Sequence, residues 1–302
     1  MENCTSTIIR IKLTNRILTV FMSNADDEEI KNFLFIIKTV ISVFVLFFSL
    51  LTILGFSGVL GFKNENYLGL WLSIHGFVIF GLIKSSLIRN IMMFFVFLAI
   101  YITESRTALL GLLIALIIRF FWPVIKNKYV YAVLTFIIFL MPFLIIYIFS
   151  KSESLIIFND IVRDYSGKNL LSGREEIWPI VIQLINKNIY LGWGAGYQLK
   201  YLSYFDYSVH NLYLQIALQV GLIGLFFLLV GFGTLFFYIW KFKYLEYAKE
   251  AYGLVFIIMF SQNFEVTLTQ NNISLSWVLW IFVAFFIGSS RRKADIEKRR
   301  VE

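Results

Sequence analysis

Two arginines and a histidine stand in short polar clusters of an otherwise apolar chain. Arg106 lies in T-E-S-R-T (103–107), Arg174 in S-G-R-E-E-I-W (172–178) and His210 in H-N-L-Y-L (210–214). A guanidinium group binds phosphate oxygens through a planar fork of donors. A positioned imidazole can accept a proton as a general base. These three residues are therefore the candidate catalytic groups, and the predicted chemistry involves an anionic substrate.

The predicted position of these clusters strengthens that interpretation. Asn66, Arg106 and His210 each stand where an apolar helix is predicted to begin. A helix N-terminus carries unpaired N–H groups and the positive end of the helix dipole, so it favours anions such as phosphate. An arginine at such an end is unfavourable by itself, which indicates an anion between Arg106, Arg174 and the helix ends.

Each candidate also has a structural alternative. Arg174 could form an ordinary ion pair with one of the carboxylates nearby in sequence, which are Asp164, Glu175 and Glu176. His210 could be an interfacial histidine bonded to a backbone carbonyl. His75, which falls in the middle of a predicted span, is better explained as a buried inter-helix hydrogen-bonding group than as a catalytic residue.

The segment between residues 150 and 209 adds polar and aromatic candidates. Ser172 and Glu175 have the spacing of a capping box that opens a helix, although Pro179 could mark a later start. Aromatic side chains suit the C–H faces of sugar rings, while an interfacial aromatic belt is the alternative near Tyr204. The candidate substrate contacts, all polar or aromatic, are Lys63, Asn66, Glu104, Glu175, Trp178, Trp193, Tyr197 and Asn211.

Several classes of site are excluded or disfavoured. The chain has one cysteine, Cys4, and two histidines, so a cysteine-rich zinc site is not expected, and we predict no metal and no cofactor. The glycines at 192, 194 and 196 follow a predicted helix and lack the strand that a dinucleotide fingerprint requires. We expect them to form a tight or flexible turn beside the site.

The elements that position these residues are predicted to be membrane-spanning helices. Hydrophobic residues make up 59% of the 302-residue chain and charged residues 15%, with a mean hydropathy of +0.77. Apolar runs of about 20 residues can cross a bilayer, and in lipid they must be helical. We predict an all-α bundle of about eight spans, at 33–54, 67–84, 90–103, 106–122, 129–149, 210–240, 252–268 and 272–288. The seventh is the weakest, because Ser261, Gln262, Asn263 and Glu265 crowd one end.

The charge distribution predicts the orientation. With both termini in the cytoplasm, every short inner loop is basic and the outer segments are close to neutral, as the positive-inside rule requires. The net charge of +8 is then explained by topology and contact with membrane lipids, and no nucleic-acid partner is expected. The predicted segments are a cytoplasmic 1–32, spans over 33–149, an extracytoplasmic loop over 150–209, spans over 210–288 and a basic cytoplasmic tail over 289–302.

The motifs, taken in order, resemble the bacterial O-antigen ligase/polymerase family. G-F-x-N-x-N at 61–66 precedes a span, and S-R-T-A-L-L-G begins at Ser105. S-G-R-x-x-x-W, G-x-G, H-N-x-Y-L and G-L-I-G follow, the last at 221–224. This chain differs from the family pattern at two positions. It has Ile189 where a proline is common and Gln219 where a glutamate is common. Members also have more spans upstream, so we expect a short variant or an N-terminally truncated product.

The resemblance implies a membrane glycosyltransferase that uses undecaprenyl-pyrophosphate-linked oligosaccharides outside the cytoplasmic membrane. Arg106 and Arg174 match the arginines that hold the lipid pyrophosphate, and His210 matches the proposed base of the ligase branch. A polymerase of repeat units for an O-antigen, capsule or exopolysaccharide is the leading hypothesis, with a flippase and a chain-length regulator as pathway partners. A ligase acting on another acceptor, a transporter of lipid-linked sugar and an inactive truncated homologue are the alternatives.

Overall fold

A computed structural model describes residues 27–62, 64–151, 157, 159–162, 164, 171, 173–199, 208–245, 247–268, 280–286, 288 and 292. Every regular element in these ranges is helical and none is a strand, which confirms the all-α class. The α-helices are α1 (Asp27–Ile53), α2 (Glu65–Leu82), α3 (Ser86–Ile102), α4 (Arg106–Phe120), α5 (Trp122–Ile125), α6 (Lys128–Lys151), α7 (Arg174–Lys187), α8 (Leu212–Lys241) and α9 (Ala248–Ser261). A 3-10 turn, Ser57–Leu60, links α1 to α2.

Three helices have the length and composition of membrane spans. They are Glu28–Ile53, Lys128–Ser150 and Leu212–Lys241, and Ser86–Ile102 is a shorter apolar helix. Many large apolar side chains on these helices are exposed, such as Phe35 on α1 and Phe226 on α8, as expected of surfaces in contact with lipid. The total of eight spans and the orientation stay predictions.

Two predicted boundaries differ from the structure. Helix α1 begins at Asp27, so the end of the predicted cytoplasmic segment is helical. The seventh predicted span, 252–268, is helical only to Ser261, and a turn follows. In this turn the Gln262 side chain accepts hydrogen bonds from the backbone N–H groups of Thr267 and Leu268. The eighth predicted span is helical over 280–286, while 1–26 and all of 289–302 except residue 292 lie outside the described residues.

The chain divides into two compact units. The first unit comprises residues 1–128, 238–261 and 271–302, and the second comprises 129–237 and 262–270. In the first unit α2 is the central helix, buried without interruption from Tyr67 to Ile79 and in contact with α1, α3, α4 and α9. Glycines let these helices approach closely, because a Cβ at Gly76 would overlap the side chain of Val96.

His75 is buried inside α2. Its Nδ1 lies 2.8 Å from the carbonyl oxygen of Trp71, and its ring stacks on the Trp71 indole at a centroid distance of 3.8 Å. This bond lies within one helix, whereas the sequence predicted a bond between helices. A buried, stacked imidazole of this kind serves packing.

The second unit has its core between α7, α8 and α6. Trp178, Val181, Leu184 and Ile185 recur at helical spacing on α7 and share one apolar cluster with Leu218 and other residues of α8. Trp178 is fully buried and donates its indole N–H to the carbonyl oxygen of Val209 at 2.9 Å. The apolar face of α7 therefore holds Val209, which precedes the start of α8.

Helix α8 is interrupted at Gly221, whose φ of 73° and ψ of −173° are not helical. Such a break leaves backbone groups without their usual partners. The preceding turn supplies partners on both sides: Gly194 N–H donates to Gln219 O at 2.9 Å, and Leu222 N–H donates to Ile189 O at 2.8 Å. Gly192 and Gly194 have positive φ, so the glycine run forms the tight turn that the sequence predicted.

Candidate active site

Arg174 is the first residue of α7 in the second unit. The helix is preceded by Gly173 in a left-handed conformation, with φ of 78°, and continues through Pro179, so the later start does not occur. Ser172, the first member of the predicted capping box, lies outside the described residues. Glu175 and Glu176 occupy the first turn, where acidic side chains complement the helix dipole.

The Arg174 guanidinium is held by backbone carbonyls. Nη2 donates to Phe264 O at 2.9 Å, Nη1 donates to Leu171 O at 3.4 Å, and the group lies 5.7 Å from the centroid of the Phe264 ring. In the described part of the chain it hydrogen-bonds these carbonyls and forms no close ion pair with Glu175, Glu176 or Asp164. The ordinary ion pair offered as the alternative is therefore not formed there.

The electrostatic environment of Arg174 combines burial with negative charge. Burial lowers the pKa of the guanidinium, while the carboxylates of Glu265 and Glu175 act in the opposite direction. Arginine keeps its charge at neutral pH under such conditions. Its Nε–H and the Oε2 of Glu175 are buried without a hydrogen-bond partner among the residues described. One donor of the cation is thus uncommitted.

His210 precedes the start of α8. The helix begins at Leu212, and its cap is Asn211, whose Oδ1 accepts from Leu214 N–H at 3.0 Å. His210 Nδ1 lies 3.2 Å from Oε2 of Glu265, and 34% of the His210 side chain is exposed against 5% of Glu265. The carbonyl-bonded imidazole offered as the alternative is not what the structure has, because the partner of Nδ1 is a carboxylate.

The backbone of His210 is unusual. Among the described residues, two that are not glycine have positive φ, Glu104 at 54° and His210 at 49°. Left-handed backbone is rare for residues with a Cβ and clusters at functional positions, where the surrounding structure holds it. Both residues belong to the set that the sequence selected for chemistry.

The turn at residues 262–268 brings these groups together. Three successive carbonyls accept hydrogen bonds: Gln262 O from Leu212 N–H at 2.9 Å, Asn263 O from Asn211 Nδ2 at 3.0 Å, and Phe264 O from Arg174 Nη2 at 2.9 Å. The fourth residue, Glu265, contacts His210. Arg174 and His210, which are 36 positions apart in sequence, are therefore held by adjacent residues of one turn.

Gln262 closes this turn. Its Oε1 accepts from the N–H groups of Thr267 and Leu268 at 3.0 and 3.3 Å, and its Nε2 donates to Thr267 Oγ1 at 2.6 Å. Gln262, Asn263, Glu265 and Thr267 are all buried. Buried polar groups that are hydrogen-bonded in this way specify one backbone conformation. The turn is thus a rigid support for Arg174 and His210.

Arg106, Glu104 and Asn66 lie in the first unit. Arg106 is the exposed first residue of α4, and no side-chain hydrogen bond or ion pair holds it in the described ranges. Glu104 is exposed in the turn between α3 and α4. Asn66 is exposed in the first turn of α2, whose cap is Asn64. Arg106 and Asn66 stand at helix starts, as predicted from the sequence, and Lys63 lies outside the described residues.

The remaining candidates divide between surface and core. Trp193 is 38% exposed, stacks on Tyr197 at a centroid distance of 5.5 Å and donates its indole N–H to Leu184 O at 2.9 Å. Tyr197 is half-buried and packs against the apolar cluster of α7 and α8. Trp178 and Asn211 are fully buried and are committed to Val209 and to the start of α8. In the structure both side chains support the fold, and neither presents a free face to a sugar.

Glu265 and Gln262 are the residues of this cluster that the sequence reasoning did not select. The sequence did carry a sign of them, because these polar residues made the seventh span the weakest of the predicted spans. A carboxylate and two amides near the end of an apolar helix can indicate a break that returns polar groups to a site. No group of three histidine, cysteine or acidic residues is placed to hold a metal ion in the part of the chain that the structure describes.

Comparison with known families decides the relationship. A family model described as O-antigen ligase matches residues 91–229. This segment of the chain is therefore similar to the O-antigen ligase family. The O-antigen ligase segment contains Arg106, Arg174, the glycine turn and His210, which confirms the resemblance seen in the motifs. Neither a curated protein nor a solved structure matches the chain.

The match to the O-antigen ligase family and the three long apolar helices together support an integral membrane protein. The match also supports a function of the O-antigen ligase or polymerase type. The 262–268 turn, with Glu265, lies beyond the matched segment.

Proposed function

We propose that the chain is a glycan polymerase that joins undecaprenyl-pyrophosphate-linked repeat units of a bacterial surface polysaccharide. The observation that carries the proposal is that Arg174 and His210, two residues of the O-antigen ligase segment, contact adjacent residues of one turn, Phe264 and Glu265. A cation beside a potential base is what transfer from a pyrophosphate leaving group requires.

In the proposed reaction, a hydroxyl oxygen of the acceptor sugar attacks the anomeric carbon of the donor. The bond between that carbon and the pyrophosphate oxygen breaks, and its electron pair leaves with the lipid pyrophosphate. The hydroxyl proton passes to Nε2 of His210. The products are an extended glycan on one carrier lipid, undecaprenyl pyrophosphate and a proton, which the His210 imidazolium releases to water. The scheme uses no metal.

Arg106 and Arg174 stabilise the departing pyrophosphate in this scheme. The exposed Arg106 offers its whole guanidinium fork, and Arg174 offers the buried Nε–H that has no partner among the described residues. Charge stabilisation that develops in the transition state contributes about 3–4 kcal/mol per well-placed donor. A single point charge without fork geometry would contribute less.

Sugar contacts in the proposal come from aromatic and polar side chains. Trp193 and Tyr197 supply stacked rings, and Lys63, Asn66, Glu104 and Glu175 supply polar groups. Trp178 and Asn211 act through the core and the start of α8. The site faces outward from the cytoplasmic membrane with both termini in the cytoplasm, supported by the basic inner loops. A flippase and a chain-length regulator are the pathway partners of such an enzyme.

Transfer of the finished glycan to another acceptor is the second candidate, favoured by the description of the matching family. Both reactions share donor chemistry and differ in the acceptor. Glycans of a strain lacking the gene separate them. Single repeats on carrier lipid indicate that a polymerase has been lost, whereas full-length chains without an acceptor indicate that a ligase has been lost.

The direct test is chain extension by the purified protein on undecaprenyl-pyrophosphate-linked repeat units. We expect products of increasing length and release of undecaprenyl pyrophosphate. Transport of the lipid-linked sugar between leaflets without a new glycosidic bond would refute the proposal, as would chain extension undiminished in Arg106→Ala, Arg174→Ala and His210→Ala proteins. Circular dichroism and membrane insertion of each variant serve as controls for folding.

A further inference from the structure

Glu265 is a buried carboxylate beside the imidazole of His210. Its side chain is 5% exposed, and its Oε2 lies 3.2 Å from His210 Nδ1. A histidine uses one ring nitrogen at a time as a base, and the hydrogen bond at the other nitrogen decides which one. An ionised carboxylate has no hydrogen to donate, so a hydrogen bond between an ionised Glu265 and His210 requires Nδ1–H as the donor.

We propose that Glu265 is a positioning residue that fixes the tautomer and the direction of His210. With Nδ1–H donated to Glu265, the lone pair of Nε2 is left for the acceptor hydroxyl. Glu265 touches neither substrate in this scheme. It also stabilises the imidazolium that forms when Nε2 takes the proton. The proposal rests on the proposed function for its kinetic consequence, while its structural part can be measured independently.

The position of Glu265 is over-determined by the turn that carries it. Gln262 closes the turn through three side-chain hydrogen bonds, and the carbonyls of residues 262–264 are tied to Leu212, Asn211 and Arg174. A carboxylate on such a turn cannot drift far from His210. Precise and rigid support is what a positioning residue needs to act on another side chain.

The guanidinium of Arg174 acts on Glu265 as well as on the turn that carries it. The Arg174 guanidinium interacts favourably with the Glu265 carboxylate and bonds the carbonyl of the neighbouring residue, Phe264. Glu175, the other carboxylate that interacts with Arg174, lies on α7. Arg174 therefore has two roles in the cluster, because it anchors the turn and balances the negative charge that orients the imidazole.

The backbone of His210 fits the same scheme. A φ of 49° at a residue with a Cβ has a free-energy cost of about 1–3 kcal/mol, which the surrounding contacts must offset. Three contacts supply this compensation. His210 Nδ1 bonds Glu265, His210 N–H donates to Ser208 Oγ at 3.3 Å, and the next residue, Asn211, caps α8. Without Glu265 the imidazole would lose the partner that selects its orientation.

The structural test uses the fact that the chain has only two histidines. Protein labelled with 15N-histidine in lipid nanodiscs gives two imidazole signal sets, assigned with His75→Gln. In the neutral state we expect His210 to carry its hydrogen on Nδ1, and Glu265→Ala to shift the population toward Nε2–H. A His210 signal with the same tautomer in both proteins would overturn the proposal, whatever the activity of the enzyme.

The kinetic test compares Glu265→Gln with Glu265→Asp in the chain-extension assay. We expect Glu265→Gln to lower kcat roughly 10- to 100-fold with little change in KM, as loss of an orienting partner does elsewhere. Glu265→Asp should recover part of the rate, since it retains a carboxylate. A matched control is Glu250→Gln, which alters a carboxylate that is 2% exposed and pairs with Arg119 at 2.9 Å in the other unit.

Three outcomes separate the hypotheses. Full kcat in Glu265→Gln, or an equal loss in Glu265→Gln and Glu250→Gln, would overturn the positioning role. An inactive wild-type protein with the expected tautomer shift would refute the proposed function and leave the His210–Glu265 pair supported. A rate loss in Glu265→Gln together with the tautomer shift supports both.

Discussion

Gly221 packs its backbone against the carbonyl of Tyr190 so closely that no side chain fits between them. The contact lets the turn at 189–194 hydrogen-bond both sides of the break in α8. The break and the turn therefore depend on each other, and a single atom added at position 221 disturbs both.

Gly221→Ala should destabilise the protein strongly. Alanine at φ of 73° has an intrinsic cost of about 1–2 kcal/mol, and overlap with Tyr190 adds to it. We expect a lower Tm in detergent, followed by size-exclusion fluorescence. Gly231→Ala in the same helix is the control, because nothing lies within 4 Å of its added Cβ. It should be neutral or stabilising by up to about 1 kcal/mol. Equal Tm values for the two variants would contradict the account.

Trp178→Ala should lower the free energy of unfolding by about 3–5 kcal/mol, because it empties a large core position and leaves Val209 O without its donor. Thermal unfolding in lipid nanodiscs measures the change. Phe226→Ala provides the comparison, since that ring is 61% exposed on α8. If Trp178→Ala raised KM for the glycan and left Tm unchanged, the ring would be a substrate contact instead.

Asn211→Ala and Asn211→Asp separate two bonds of one side chain. Alanine removes the cap of α8 and the donor to Asn263 O, and the cap alone is worth about 1 kcal/mol. Aspartate keeps the cap and loses the donor. We expect Tm to fall in the order wild type, aspartate, alanine, while both variants lose chain-extension activity because the 262–268 turn loosens. An unchanged Tm in both proteins would show that the asparagine does not hold the turn.

Arg106 and Arg174 should respond differently to substitution. Arg106→Ala is expected to leave Tm unchanged, since the side chain is exposed, and to reduce kcat roughly 100-fold through loss of a transition-state contact. Arg106→Lys should also impair activity, because lysine lacks the bidentate fork. Arg174→Ala should lower both Tm and kcat, since it also releases Phe264 O. If Arg106→Ala lowered Tm as much as Arg174→Ala does, the case for a catalytic role of Arg106 would be lost.

The sequence was sufficient for the helices whose ends are marked by polar residues. The predicted spans at 67–84, 90–103 and 106–122 correspond to α2, α3 and α4 to within a few residues. Arg106, Arg174 and His210 were selected as candidates because ionisable side chains are conspicuous where apolar helices begin. Local pattern was informative in these places because the signal and the structure occupy the same stretch of chain.

The 262–268 turn could not be predicted because its partners are remote in sequence. Arg174 reaches Phe264 across 90 positions and His210 reaches Glu265 across 55. An apolar run with a few polar residues looks like a weak span until those partners are known. Trp178 posed a similar problem, since an aromatic residue in a polar loop suits a sugar site and a core equally well before its helix is packed.

The late position of the 262–268 turn in the chain has a consequence for biosynthesis. Arg174, Asn211 and Leu212 leave the ribosome well before the carbonyls that accept their hydrogen bonds, because synthesis proceeds from the N-terminus. His210 likewise waits for Glu265. A nascent chain shorter than about 268 residues therefore holds all the family motifs without a finished centre. Arg174 and His210 therefore reach their final arrangement only after residues 262–268 have joined the chain.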